Sequence, residues 1–291
     1  MTEITTEIDA DLIGVRPLDE SKLTLTEEER DFLHKAVTAD DDELRQKITA
    51  IQKEAYAAYA YPCIYMFHFV RLFMRENPIY PAVVAAGQSK PTVFLDLGCC
   101  MGTDVRKLVA DGYPAARVLG CDLRAEFPAL GHKLFGDADS CGIHFFADDI
   151  FAVPDALPAH DAAGPLDVAA VTDLKQLYGH VDHFYAGALF HLFDEATQHA
   201  LALRVARIVK HTPGTVVFGR HQGLEQAGYI EDGWSSRKRY GHSPASWPLL
   251  WKCVFAEVES PEFAETRVVV AAETRSASPT SVWLFWSVQI I

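Results

Sequence analysis

The chain has 291 residues, a length that suits one large α/β domain with a terminal extension, or at most two domains. Its 49% hydrophobic content supports a sizeable core, yet charges interrupt every apolar run before it reaches the length of a membrane span. The acidic start MTEITTEIDADLIG lacks the basic-then-apolar order of a secretion signal, which points to the cytosol, and a formal charge of -14 disfavours nucleic acid as a partner.

Residues 1–25 read as irregular. Thr26 is a predicted N-cap, with three glutamates in the first turn where they complement the helix dipole, and a helix to Val37 follows. A second helix begins near Asp40 to Asp42 and carries Leu44, Ile48 and Ile51 at helical spacing. The aromatic run AYAAYAYPCIYMFHFVRLFM reads as helix, turn, helix, broken at Pro62 and ending near Asn77-Pro78. From Pro91 the pattern changes to alternating strand and helix. Strands are expected at 92–97, 117–121, 143–147, 181–187 and 215–219. Helices are expected at 103–111, 125–135, 168–178 and 194–210, with a Pro/Ala/Asp-rich loop at 154–166. Such alternation predicts a parallel sheet with helices on both faces. A polar insertion at about 221–250 and a helix over 248–258 follow. Two β-rich runs, 266–272 and 281–291, should then pair as a hairpin. The division is thus a helical N-terminal extension and lid, 1–90, and a sheet domain, 91–291.

Six cysteines occur without CxxC or Cys/His zinc spacing, so they read as reduced small hydrophobes and no metal is expected. Arg237-Lys238-Arg239 reads as a solvated basic loop.

Four segments carry candidate chemistry. In VFLDLGCCMGTDVRKL, an apolar strand runs through Asp96 into Gly98, Cys99 and Gly102 and then a helix. A ligand approaching a strand-to-helix turn needs residues without bulk, and the helix N-terminus offers free N–H groups. Asp122, followed by Leu123, ends the second strand, where an acid can accept both hydrogen bonds of a ribose diol. HFFADDIF follows as the third strand; Asp149-Ile150 fits an adenine contact best, with Asp148 the alternative. YAGALFHLFDE places His191 beyond the fourth strand, as a general base, an orienting donor or a packed ring. The first segment resembles methyltransferase motif I, D/E-x-G-x-G-x-G, with Cys100 in place of the central glycine. The resemblance implies S-adenosylmethionine as cofactor and a class I methyltransferase fold: a mostly parallel seven-stranded sheet with an antiparallel C-terminal strand. A nicotinamide-dependent oxidoreductase shares the first two features, but the cysteine in the glycine loop and the terminal hairpin argue against it.

YPCIYMFHFVRLFMRENPIYP, DLGCCMGTDVRKLVADG, LGCDLRAEFPALGHKLFGD and GALFHLFDEATQ, extended by GRHQG and HSPASWPLLW, are more specific. Over about residues 50–290 the chain resembles fungal secondary-metabolite methyltransferases, the group that includes meroterpenoid carboxyl methyltransferases of the austinol type. The resemblance implies a biosynthetic O-methyltransferase acting on a small hydrophobic molecule. The expected acceptor is a terpenoid or polyketide carboxylate; a hydroxyl or phenol is the close second, and a SAM-binding regulator without catalysis a third reading. His191 and His242 are the candidate donors or bases. Tyr59, Tyr61, Phe67, Phe190 and Trp247 are the candidate substrate wall, with Trp234 and Trp251 further candidates. Oligomeric state is not legible.

Overall fold

The computed structural model describes residues 16–154, 164, 166–230, 238–278 and 281–291. Five short apolar segments form the parallel part of its sheet: β1 (Phe94–Leu97), β2 (Val118–Asp122), β3 (His144–Ala147), β4 (His183–Gly187) and β5 (Val216–Gln222). Two long strands complete it, β8 (Val268–Ser278) and β9 (Ser281–Ile290), in the order β3-β2-β1-β4-β5-β9-β8. The hairpin expected from 266–291 forms, and β9 runs antiparallel to both its neighbours. This is the mostly parallel seven-stranded sheet that the methyltransferase resemblance implied.

Successive side chains of a strand face opposite sides, so both faces of this sheet are apolar. Leu95, Leu119, Phe184 and Val217 join one core, which α7 (Glu195–Ile208) and α8 (Ser246–Val258) cover. Phe94, Val118, Tyr185 and Phe218 join another, under α4 (Tyr80–Ser89) and α5 (Thr103–Ala110). A third core holds the N-terminal helices α1 (Glu27–Ala36), α2 (Asp41–Ala58) and α3 (Pro62–Tyr65) against α6 (Glu126–Phe135).

Thr26 does cap α1, in a reciprocal capping box with Glu29. Glu29 is buried and also accepts from Arg71 Nε and the Leu72 N–H, which ties α1 to the aromatic segment. Asn77 ties that segment to the sheet. Its side-chain amide donates to the Gly219 and Trp286 carbonyls at 2.9 and 3.0 Å.

Several expectations change. The helix over 168–178 is two 3-10 turns, 168–170 and 174–177, because Asp167 and Asp173 each cap a separate turn. Helix α4 and the short α9 (Pro261–Arg267) were not expected, and β8 begins only after α9. The insertion after β5 contains a small hairpin, β6 (Gly228–Ile230) with β7 (Arg239–Gly241). The expected loop at 154–166 lies largely outside the described residues, as do Trp234 and Arg237. All six cysteines are free thiols. Among the described residues no helix is long and apolar enough to cross a membrane.

Candidate functional site

The carboxyl ends of β1 to β5 open into one cleft of about 1210 Å³. In doubly wound sheets this edge, where the strand order reverses, is where ligands bind. The reversal lies between β1 and β4, which are neighbours although two strands separate them in sequence.

Around the β1–α5 turn the backbone is left-handed at Gly98 (φ 78°), Cys100 (φ 52°) and Gly102 (φ 68°). Cys100 therefore keeps the conformation of the glycine it replaces, at a strain of order 1 kcal/mol or more. A side chain at Gly102 has no room: its Cβ would lie 2.6 Å from the Phe145 ring. Asp122 holds this turn, with one carboxylate oxygen accepting the Cys100 N–H at 2.8 Å and the other the Arg124 N–H at 3.0 Å. A carboxylate has about four acceptor sites, so one on each oxygen stays open to a vicinal diol. Burial raises the Asp122 pKa to about 6 against the opposing pull of those two N–H bonds.

The third-strand pair divides its work. Asp148 accepts from the Asp149 and Leu174 N–H groups with its two oxygens, so it braces the loops. Asp149 uses one oxygen to cap the turn at Ile150. Both line the cleft together with Ile150, Leu123, Asp96, Gly98 and Cys99. Asp96 is fully buried, and burial followed by the Asp104 and Asp122 charges holds its pKa well above the ordinary carboxylate range.

His191 also lines the cleft. Its Nδ1 accepts the Gln222 N–H at 3.1 Å, which leaves the ring proton of the neutral imidazole on Nε2. In that tautomer the second ring nitrogen is a donor, not a base. His242 lies elsewhere. It is buried behind the cleft, bonds Ser246 Oγ through Nδ1, and burial lowers its pKa to about 4.

Of the expected substrate wall, Tyr61 alone lines the cleft. Tyr59 sits behind it, its ring tilted against that of Tyr61 with the centroids 4.2 Å apart. Phe67 is in the N-terminal core, and Phe190, Trp247 and Trp251 form a fully buried aromatic cluster with Trp286. Hydrophobicity marks such rings for burial but does not say whether core or ligand buries them. Other residues of the 61–73 segment make the wall instead, among them Met66, His68, Phe69 and Phe73.

The opposite end of the cleft was not foreseen. Arg71, Arg220, Arg239 and Arg275 all line it, beside Tyr185, Trp283 and Phe285. Arg239 is buried within β7 and reaches Gln222, so the triplet read as a solvated loop contributes a side chain to the site. The available signal was the single arginine in the otherwise apolar strand VVFGR. The cleft is thus polarised: Asp96, Asp122, Asp148 and Asp149 lie toward β1–β3, and Arg220, Arg239 and Arg275 lie toward β5–β9 with Arg71 from the 61–73 segment, where Glu76 and Asp104 only partly offset their charge. Asp104 is half-buried at the cleft wall and accepts the Met74 N–H; desolvation of its carboxyl raises its pKa to about 7. Two Cys/His/acid groupings, around His132 and around His199, lie outside this cleft.

Residues 19–70 match the family described as meroterpenoid methyltransferase N-terminal domain. The chain is 33% identical over 210 residues to the O-methyltransferase phiE of a fungal species, covering 72% of this chain and 65% of phiE. It is 37% identical over 182 residues to the O-methyltransferase atr3 of Stereocaulon alpinum, covering 62% and 48%. The asnovolin E/chermesin D methyltransferase nvfJ of Aspergillus novofumigatus is 30% identical over 239 residues, covering 81% of this chain and 79% of nvfJ. The chain spans less than two thirds of the length of phiE and about half that of atr3.

Proposed function

Because the chain belongs to the fungal secondary-metabolite methyltransferase family that includes nvfJ, we propose that it is a S-adenosylmethionine-dependent O-methyltransferase acting on a carboxylate of a hydrophobic small molecule. The observation that carries the reading is the polarised cleft, acidic where a sulfonium nucleoside would lie and basic where its acceptor would lie.

Gly98, Cys99 and the open lone pairs of Asp122 suit the cofactor's amino-acid and ribose portions. Asp149 and Ile150 suit the adenine, with Leu123 beside it. The cofactor, when bound, supplies a methyl group on a positively charged sulfur. Attack by a carboxylate oxygen would form the O–CH3 bond in place of the C–S bond, whose electron pair would stay on sulfur. No proton moves, so a carboxylate acceptor needs donors and alignment rather than a base. His191, held as an Nε2 donor, fits that need. The 61–73 segment acts as the lid, keeping water from the methyl group, and the protein works in the cytosol on a small molecule.

Hydroxyl methylation is a second reading with one specific support. Asp104, titrating at about 7 and lining the cleft, has the basicity to take a phenol proton.

The test is transfer of label from S-adenosyl-[methyl-14C]methionine to hydrophobic acids and phenols, after titration with S-adenosylhomocysteine and NADH in parallel. A methyl ester releases labelled methanol in mild base, whereas an aryl ether keeps it. Base-labile product is the expected outcome. Base-stable product moves the assignment to hydroxyl transfer, and binding of NADH in place of S-adenosylhomocysteine overturns the methyl-transfer reading.

A further inference from the structure

Four arginines face the cleft, but they are not equivalent. Arg71 is paired with Glu29, Arg275 with Glu273, and Arg239 reaches Gln222. Arg220 is 5% exposed, and its guanidinium makes no hydrogen bond or ion pair among the described residues. Asp104 and Glu76 act on it only through space. Its position is nevertheless well determined. The guanidinium carbon lies 3.4 Å from the centre of the Phe73 ring and 4.0 Å from that of Trp283, with Phe285 at 6.0 Å. These contacts hold the plane of the guanidinium and leave its edge donors without acceptors. Next to it the Tyr185 hydroxyl is also buried and unpartnered among the described residues.

A desolvated cation with no directly bonded counter-ion is costly, even with Glu76 and Asp104 acting on it through space, and a guanidinium is shaped to grip a carboxylate with two parallel hydrogen bonds. Arg220 lies toward the carboxyl end of β5, two strands beyond β1, whereas Asp122 ends β2 on the other side of β1. We propose that Arg220, caged by Phe73 and Trp283 and assisted by the Tyr185 hydroxyl, is the residue that selects the acceptor by its carboxylate. This deepens the carboxylate reading above and rests on it. In that two-bond grip each carboxylate oxygen accepts one N–H, and the attacking oxygen keeps its other lone pair for the methyl group. Once that oxygen is methylated the acceptor is a neutral ester and the grip is lost, so the residue that admits the acid also lets the product go. Arg220 therefore governs KM more than kcat.

The experiment titrates octanoate and 1-octanol, equal in chain length, into the protein saturated with S-adenosylhomocysteine. Wild type should prefer octanoate by tenfold or more. Arg220→Met should remove that preference with octanol binding changed less than twofold, and Arg220→Lys should lie between. Arg220→Met should also raise the melting temperature of the free protein, whereas loss of a merely structural contact would lower it. If Arg220→Met does not fold, Arg220→Lys decides, and wild-type octanoate affinity in it overturns the proposal. So does equal wild-type binding of acid and alcohol, or no octanoate binding. Loss of S-adenosylhomocysteine affinity in Arg220→Met, with octanoate unaffected, would assign the arginine to the cofactor's own carboxylate and also overturn it. Wild type that fails to bind S-adenosylhomocysteine removes the methyltransferase reading itself, so the two failures are distinguishable.

Discussion

Asp122 braces the Cys100 turn with its carboxylate, and in the proposed site its open lone pairs would take a diol. Its pKa of about 6 sets a pH prediction. The charged form accepts the diol, and it is depleted as pH falls below 6. The dissociation constant for S-adenosylhomocysteine should therefore rise steeply below that pH and stay level from 7 to 8, as titration calorimetry would show. Asp122→Asn should weaken binding by about 10- to 100-fold, the range for losing hydrogen bonds to a charged group. His191 gives a different signature. As an Nε2 donor it should cost about 10- to 100-fold in kcat/KM for an acid acceptor when replaced by Ala. For that acceptor the pH–rate profile should show no rising limb between 6 and 8. A limb near 7 that disappears in Asp104→Asn would mark Asp104 as a base and favour a hydroxyl acceptor.

At the scale of elements, a few buried polar contacts reinforce the apolar packing that holds the N-terminal segment at the cleft. Asn77→Ala leaves the Gly219 and Trp286 carbonyls without their donor, a loss of about 2 kcal/mol by the usual cost of stranded buried acceptors. Urea unfolding should show a lower midpoint with an unchanged slope. The same contacts explain what the chain disclosed in advance. Strands β1 to β5 and the Asp96–Gly102 turn were legible because their signals are local: apolar runs, then an acid and glycines. Helix α4 was not, since it has little polar face. Its Tyr80 and Val83 are buried, and Gly87 lies against the Tyr113 ring. Arg220 stood out only as a lone arginine in an apolar strand, and its role was not legible for another reason. What makes it special is the convergence of Phe73, Trp283 and Phe285, and no local pattern reports that residues so far apart in the chain meet.

For the molecule as a whole, charge and site disagree in sign. The chain carries a formal -14, yet the end of its cleft proposed to take the acceptor is lined by arginines. A carboxylate approaching from solution is repelled at long range and attracted at short range, and salt screens the first far more than the second. Hence kcat/KM for an acid acceptor should rise as ionic strength goes from about 10 to 100 mM, where the Debye length falls from about 30 to 10 Å. A neutral alcohol should show no such rise. The place of β9 in the sheet bears on biosynthesis as well. The ribosome delivers β8 before β9, but among the described residues β8 has no sheet neighbour except β9, which must first lie along β5. While translation passes through residues 223–280, β5 is an open edge with unsatisfied backbone groups, a template for pairing with another nascent chain. The helices α8 and α9, emerging in that interval, are what can shield it until the final strand closes the gap and brings Trp283 and Phe285 to the site.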